Sequence, residues 1–225
     1  MTSVDLNADV GEGSAADAEL LALVTSANVA CGFHAGDART MRSVCAAAAA
    51  HGVSVGAHVS YRDRDGFGRR ELGADAATVE RDAREQIAAL QAASGGRVAY
   101  VKPHGALYHR ATVDDGAAAA LVAAAAPLAV LGFPGSRLLA RAREAGLLAV
   151  EEGFADRGYG AGGGLVPRGE PGAVLDAEAA VRQAVSLAGR VGSLCIHSDT
   201  PDAVELARRV RAALAAAGVE LRAFA

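Results

Sequence analysis

The chain has 225 residues, 52% hydrophobic and 21% charged, with 22 basic against 26 acidic side chains and a formal charge of −4. That composition supports a sizeable core and excludes a disordered chain, and the acidic balance argues against a nucleic-acid binder. No apolar run reaches the ~18 residues of a membrane span, so no membrane partner is expected.

The opening Met1-Thr2-Ser3-Val4-Asp5 has neither a basic nor an apolar leader region, and the three cysteines (Cys31, Cys45, Cys195) form no CxxC motif. Together they predict a cytoplasmic protein without a disulfide framework. Of the 22 basic residues 21 are Arg, and the single Lys is Lys102. An ammonium kept in a chain that otherwise writes Arg is informative, because the two cations differ chemically.

Short apolar runs predict strands near 3–8, 27–31, 53–58, 98–102, 128–131, 147–151, 193–197 and 219–222. Between them, Ala-rich 3.6-periodic segments predict helices near 16–24, 38–51, 75–94, 114–125, 136–145, 176–189 and 202–217. In the last helix Val204, Ala207, Val210, Leu214 and Ala217 recur at three- and four-residue steps. Gly52, Gly95, Gly146 and Gly218 each stand where a helix should stop. Repeated strand–helix units without a linker predict a parallel sheet. The expected α/β architecture is one domain over 1–225, a closed or nearly closed (β/α) barrel of seven to eight strands, with an open doubly wound sheet as the alternative. The run Gly160-Ala161-Gly162-Gly163-Gly164 reads as a mobile loop.

Polar residues gather at the C-terminal ends of these strands, where α/β barrels carry their active sites. Period-2 geometry puts Asp5, Asn7 and Asp9 on one inward face of the first strand, followed by Glu12. The second strand runs into His34 and Asp37, the third ends at His58, the fourth at Lys102 and His104. The sixth runs into Glu151-Glu152 and then Asp156-Arg157, and the seventh into His197 and Asp199. Four histidines at one rim predict a pocket. Several of these residues also have plainer readings. Asp37 and Asp199 can cap the helices that follow them, His51 and His109 read as structural or surface, and Cys31 and Cys195 read as small buried residues.

Lys102 either forms a salt bridge with an inward carboxylate such as Asp5 or Asp9, or polarises a carbonyl or holds an anion. The charged loop 61–71 reads as a solvated face, from which Arg69 or Arg70 could grip an anionic ligand or a partner subunit. Asp9, His34, His58 and His197 are suitable ligands for a divalent metal, although no HExxH spacing is present. The chain lacks a P-loop, a GxGxxG after the first strand and a GxSxG elbow.

The same segments resemble the LamB/YcsF family. The residues that carry the resemblance are Asp5-Leu6-Asn7-x-Asp9-x-Gly11-Glu12, Ser26-Ala27-Asn28-x-Ala30-Cys31-Gly32-Phe33-His34-Ala35-Gly36-Asp37 and Gly56-Ala57-His58. Asp65-Gly66-Phe67-Gly68-Arg69-Arg70, Val101-Lys102-Pro103-His104-Gly105-Ala106-Leu107-Tyr108, Phe154-Ala155-Asp156-Arg157-x-Tyr159 and His197-x-Asp199-x-Pro201 complete the set. The chain departs from the pattern at Ala8, Val59 and Ser198 and in a shortened segment after Gly13.

The resemblance implies a distorted (β/α) barrel similar to glycoside hydrolase/deacetylase barrels. It also implies cleavage of 5-oxo-L-proline to L-glutamate with ATP consumed by a complex that includes B and C subunits. On this reading Asp5, Asn7, Asp9, Glu12, Lys102 and His104 are the expected catalytic residues, with Asp5 or Asp9 as general base. His34, Asp37, His58, Arg69, Arg70, Asp156, Arg157 and His197 are expected to bind substrate. A homo-oligomer is compatible with it. A free-standing metal-dependent deacetylase or amidohydrolase on the same barrel is the alternative, as is a non-catalytic regulatory subunit.

Overall fold

The computed structural model describes residues 2–225. Eight strands alternate with eight helices. The strands are β1 (Thr2–Val10), β2 (Ser26–Ala30), β3 (Ser54–Val59), β4 (Val98–Pro103), β5 (Ala129–Gly132), β6 (Ala149–Phe154), β7 (Ser193–Ile196) and β8 (Val219–Leu221). The helices are α1 (Asp17–Leu21), α2 (Ala38–His51), α3 (Ala76–Ser94), α4 (Gly105–Val113), α5 (Asp115–Ala125), α6 (Arg137–Glu144), α7 (Ala177–Leu187) and α8 (Ala203–Ala216). The eight strands pair in parallel throughout, and β1 bonds to both β2 and β7, which closes a seven-strand barrel. β8 joins only the first residues of β1, Thr2–Val4, ahead of the closed section. The open-sheet alternative is therefore excluded.

Closure explains the inward polar face of β1. Val4, Leu6, Ala8 and Val10 pack into the layer between barrel and helices, while Asp5, Asn7 and Asp9 point inward and are buried as well. Inside, Tyr100 fills the barrel, its hydroxyl donating to Asn28 Oδ1 at 2.7 Å. Gly56 makes room for that ring, since a Cβ there would lie 2.2 Å from Tyr100 Cε2.

Helix caps follow the sequence signals. Asp37, Asp75, Asp114, Ser136 and Asp176 accept from first-turn amides, and the four expected stop glycines all take positive φ. Asp199 does not cap α8. That helix begins after Asp202, which makes no side-chain cap bond.

Two features depart from the strand and helix pattern. Residues 105–113 form α4, separated from α5 by Asp114 alone. The helix is only nine residues long, opens at a glycine, and its buried Leu107, Tyr108 and Ala111 give too short a period to stand out. β6 continues to Phe154, three residues beyond the apolar run, because barrel closure gives the inward acid Glu152 buried partners. Among the described residues no helix is long and apolar enough to cross a membrane, and all three cysteines are free and buried.

Candidate active site

A cavity of about 540 Å³ opens at the C-terminal ends of the strands. Its floor is Lys102, at the end of β4. The ammonium donates to Asp9 Oδ1 at 2.9 Å, lies 2.8 Å from Glu152 Oε1, and has Cys195 Sγ at 3.3 Å and Asn7 Oδ1 at 3.5 Å. Burial opposes charge on both sides, but Asp9 and Glu152 outweigh it and hold the Lys102 pKa well above its ordinary value. Burial would likewise raise Asp9, and the ammonium beside it keeps its carboxyl well below the usual range. Lys102 is thus both a salt-bridge partner, as in the plainer sequence reading, and a cavity residue.

The three histidines of the β2, β3 and β4 ends form the second group. His34 stacks on His104 with centroids 3.9 Å apart, and His58 meets both edge-on. His34 Nε2 is 2.9 Å from Glu12 Oε1, and His58 Nε2 is 3.0 Å from His104 Nδ1. Glu12 Oε1 also lies 3.7 Å from His58 and 3.5 Å from His104. Burial, together with the Asp9 charge, raises the Glu12 pKa to about 7, while burial lowers His34 to about 4.

On the far wall stands His197, just past β7. Its Nδ1 donates to the fully buried Asp156, 3.0 Å from Oδ1, and its ring stacks on Phe154 at 5.6 Å. Asp156 also accepts from the His197 amide and the Thr200 hydroxyl, so the carboxylate is fixed. Burial alone would depress the His197 pKa, but Asp156 and then Asp9 raise it above the ordinary value. At the mouth, Asp199 joins Arg69 at 2.8 Å and Arg168 at 3.1 Å. Arg168, with Leu165, Val166 and Pro167, belongs to the long excursion between β6 and α7, which forms one cavity wall.

The expected residues sort by position. Asp9, Glu12, His58, Arg69, Lys102, His104, Arg157 and His197 line the cavity. His34 lies directly behind His104. Asn7 is one layer below, holding Lys102, Asn28 and Glu152 in register.

Asp5 does not reach the cavity, and a role as general base is not available to it. Its oxygens accept from Thr25, Ser26 and Ser193 at the barrel bottom. Asp37 is spent on the α2 cap. Arg70 points to solvent and pairs with Asp63. Asp156 is fully buried behind His197, which it holds by two hydrogen bonds, and does not line the cavity. Arg157 donates to the Ala173 and Val166 carbonyls and so pins the wall segment. The four expected metal ligands are split, with His34 and His58 in the histidine group and Asp9 and His197 beside Lys102.

Tyr108, Cys195 and Arg168 belong to the site although sequence pattern gave them no role in it, and Glu152, read only as one of two acids at the end of the sixth strand, is the one that pairs with Lys102. Tyr108 donates to Glu152 Oε2 at 2.9 Å. The inward parity of Glu152 on β6 was the one local signal that could have found it. His109 stands at the cavity mouth rather than away from the site.

A closed parallel barrel with an acid- and histidine-lined C-terminal rim defines the class of distorted (β/α) barrels. The fold alone is shared with a family 4 carbohydrate esterase from Streptomyces lividans, at a TM-score of 0.58 and 14% identity, covering 100% of this chain and 93% of that one. Within that class the chain belongs to the LamB/YcsF family, whose model matches residues 4–225. It is similar to the 5-oxoprolinase A subunit of Streptomyces griseus, with 57% identity over 99% of this chain and 100% of the relative. That alignment spans 249 positions, more than the 225 residues present, so the relative carries segments that this chain lacks. A solved lactam utilization protein from Thermus thermophilus superposes with a TM-score of 0.90 at 41% identity, covering 99% and 100% of the two chains.

Proposed function

We propose that this chain, acting as a single cytoplasmic barrel domain, is the lactam-opening A subunit of an ATP-dependent 5-oxoprolinase. The observation that carries this reading is the near-full-length identity to a relative of that name. The cavity suits the chemistry. 5-Oxo-L-proline is a five-membered amide bearing a carboxylate, small enough for a 540 Å³ pocket. Opening it to glutamate runs against amide resonance, which is why ATP is consumed. The chain has no P-loop, so ATP use is assigned to the complex with B and C subunits, which would deliver the activated lactam.

The groups around Lys102 and at the mouth then have tasks. Lys102 at the floor stabilises negative charge growing on the lactam oxygen. His197, held by Asp156 with Nε2 toward the cavity, takes a proton from the attacking water. Water oxygen bonds to the ring carbon of the lactam, whose oxygen the partner subunits have phosphorylated from ATP. The carbon–nitrogen bond breaks, the departing nitrogen takes up the proton to become the amine, and a second water releases phosphate from the resulting acyl phosphate to leave glutamate. Arg69 and Arg168 at the mouth meet the substrate carboxylate. Asp9, ionised and paired, keeps Lys102 charged rather than serving as base.

Reconstitution with the two partner subunits tests the proposal, measuring glutamate formed per ATP hydrolysed. Coupled turnover that needs this chain and vanishes in Lys102→Met is expected. Hydrolysis of N-acetylated sugars or simple amides by this chain alone, without lactam turnover in the complex, would replace the reading with a free-standing deacetylase.

A further inference from the structure

The lone pairs of the three-histidine group can be counted. The carbonyl oxygen of Lys102 only accepts, so His58 Nδ1, 3.1 Å away, carries the hydrogen and its Nε2 is a bare lone pair. The Phe67 carbonyl fixes His104 the same way, leaving His104 Nδ1 bare. Ser60 gives its single hydroxyl hydrogen to the Tyr61 carbonyl, so it accepts from His34 Nδ1 and leaves His34 Nε2 bare. All three outer nitrogens are tied to acceptors, and the three inner nitrogens of His34, His58 and His104 lie 2.9, 3.7 and 3.5 Å from Glu12 Oε1. The His34 and His104 rings stack within 8° of parallel, so they must tilt toward each other to face one ion. The inner lone pairs of His58 and His104 face each other at 3.0 Å, a contact that is repulsive until something positive sits between them.

The spacing says what fits. A tetrahedral ion with bonds of about 2.0–2.1 Å separates its ligand atoms by about 3.3 Å. Here His34–Glu12, His58–His104, His104–Glu12 and His58–Glu12 are 2.9, 3.0, 3.5 and 3.7 Å apart, and all four donors lie within 4.8 Å of one another. The outer acceptors are the orienting shell that metal-bound histidines carry. Glu12, His58 and His104 line the cavity, which gives an entry path.

From this grouping we propose that Glu12, His34, His58 and His104 form a binding site for one divalent transition ion of the zinc type. Three nitrogens and one carboxylate oxygen select such ions over magnesium or calcium. The neighbouring Asp9–Cys195–His197 group is not a second site, because the Lys102 ammonium already lies 2.9 Å from Asp9 and 3.3 Å from Cys195. The assignment is independent of the lactam reaction, since binding is read without turnover.

The full chain is stripped with a chelator and titrated with Zn²⁺ or Co²⁺ alone, reading bound metal per chain, the visible bands of bound cobalt and the thermal midpoint. One ion per chain, nitrogen-rich cobalt bands and a raised midpoint are expected. His58→Gln and His104→Gln should each weaken binding by about 100-fold or more, and Ser60→Ala, which frees the His34 ring, by about 10-fold. His109→Gln, at the cavity mouth but outside the group, should bind as wild type. Should His58→Gln not fold, Ser60→Ala and wild type still decide. Folded wild type that takes up no ion would overturn the site in favour of a shared proton between His58 and His104. Unchanged binding in folded His58→Gln and His104→Gln would overturn it by placing the ion elsewhere.

Discussion

Lys102 and Glu152 form a buried ion pair at 2.8 Å, with neither side chain more than 3% exposed. Glu152 is tied in turn to Tyr108 and Asn7, and Lys102 to Asp9. The ammonium is therefore held by two carboxylates at the one depth where it can face the cavity. Removing one member of a buried pair costs about 3–5 kcal/mol, because the other charge is left uncompensated. Asp9 remains as a partner, so Glu152→Ala is expected at the lower end, about 3 kcal/mol. That corresponds to a melting point roughly 6–12 °C lower for a chain of this size. Glu152→Gln, which keeps the shape and a hydrogen-bond acceptor, should lose less. Thermal unfolding of the two variants checks this, and equal losses would show that the charge of Glu152 alone, with no contribution from its shape, holds Lys102.

The Asp156–His197 pair predicts a pH dependence. If neutral His197 is the base, activity climbs as pH rises through its raised pKa, so the acidic limb lies above the ordinary histidine value of about 6.5. Stability runs the other way. A raised histidine pKa stabilises the fold fully below the unfolded value, and that contribution disappears as pH climbs through the folded one. Asp156→Asn removes the charge and turns the neighbour into a donor, which favours the wrong tautomer of the ring. It should cut kcat by about 100-fold or more and move what remains of the limb to lower pH. A limb that does not move would remove His197 from the proton transfer.

Arg69 tests the mouth. It is 42% exposed and its pair with Asp199 is solvated, so Arg69→Ala should change stability by under about 1 kcal/mol. If its work is to meet the substrate carboxylate, KM should rise roughly tenfold, the loss of about 1.4 kcal/mol of binding, with kcat nearly unchanged. A fall in kcat at constant KM would instead place Arg69 in the chemical step.

Much of this was legible in the chain. Alternation on β1 told that Asp5, Asn7 and Asp9 share an inward face, and the Ala-rich period told seven of the helices. What local pattern could not tell is depth. Asp5 and Asp9 look alike in sequence, but four residues along a strand put one at the barrel bottom among hydroxyls and the other at the floor of the cavity. Glu152 looks like a rim acid beside Glu151, until closure brings residues 7, 102 and 152 together across separations no window spans. Asp37 and Asp199 both stand just ahead of a helix in the chain. Only geometry shows that the first caps its helix and the second bridges two arginines.

Gly68 predicts how tightly the charged loop is fitted to the histidines. Its φ is +66°, and a Cβ there would lie 2.9 Å from His104 Cδ2 and 3.0 Å from His34 Cβ. Its carbonyl also accepts from the Ala106 amide at 2.9 Å, so the loop cannot simply lift away. Gly73, five residues on, has φ +63° with no atom within 4 Å of such a Cβ. Gly73→Ala therefore measures the left-handed backbone cost alone, about 1–2 kcal/mol, while Gly68→Ala adds overpacking of about 1–3 kcal/mol. Urea unfolding of both should show the larger loss at Gly68, and only that variant should disturb the stacked His34 and His104 and reduce turnover. Equal losses with intact activity would mean that the loop relaxes freely and does not hold the histidine group in place.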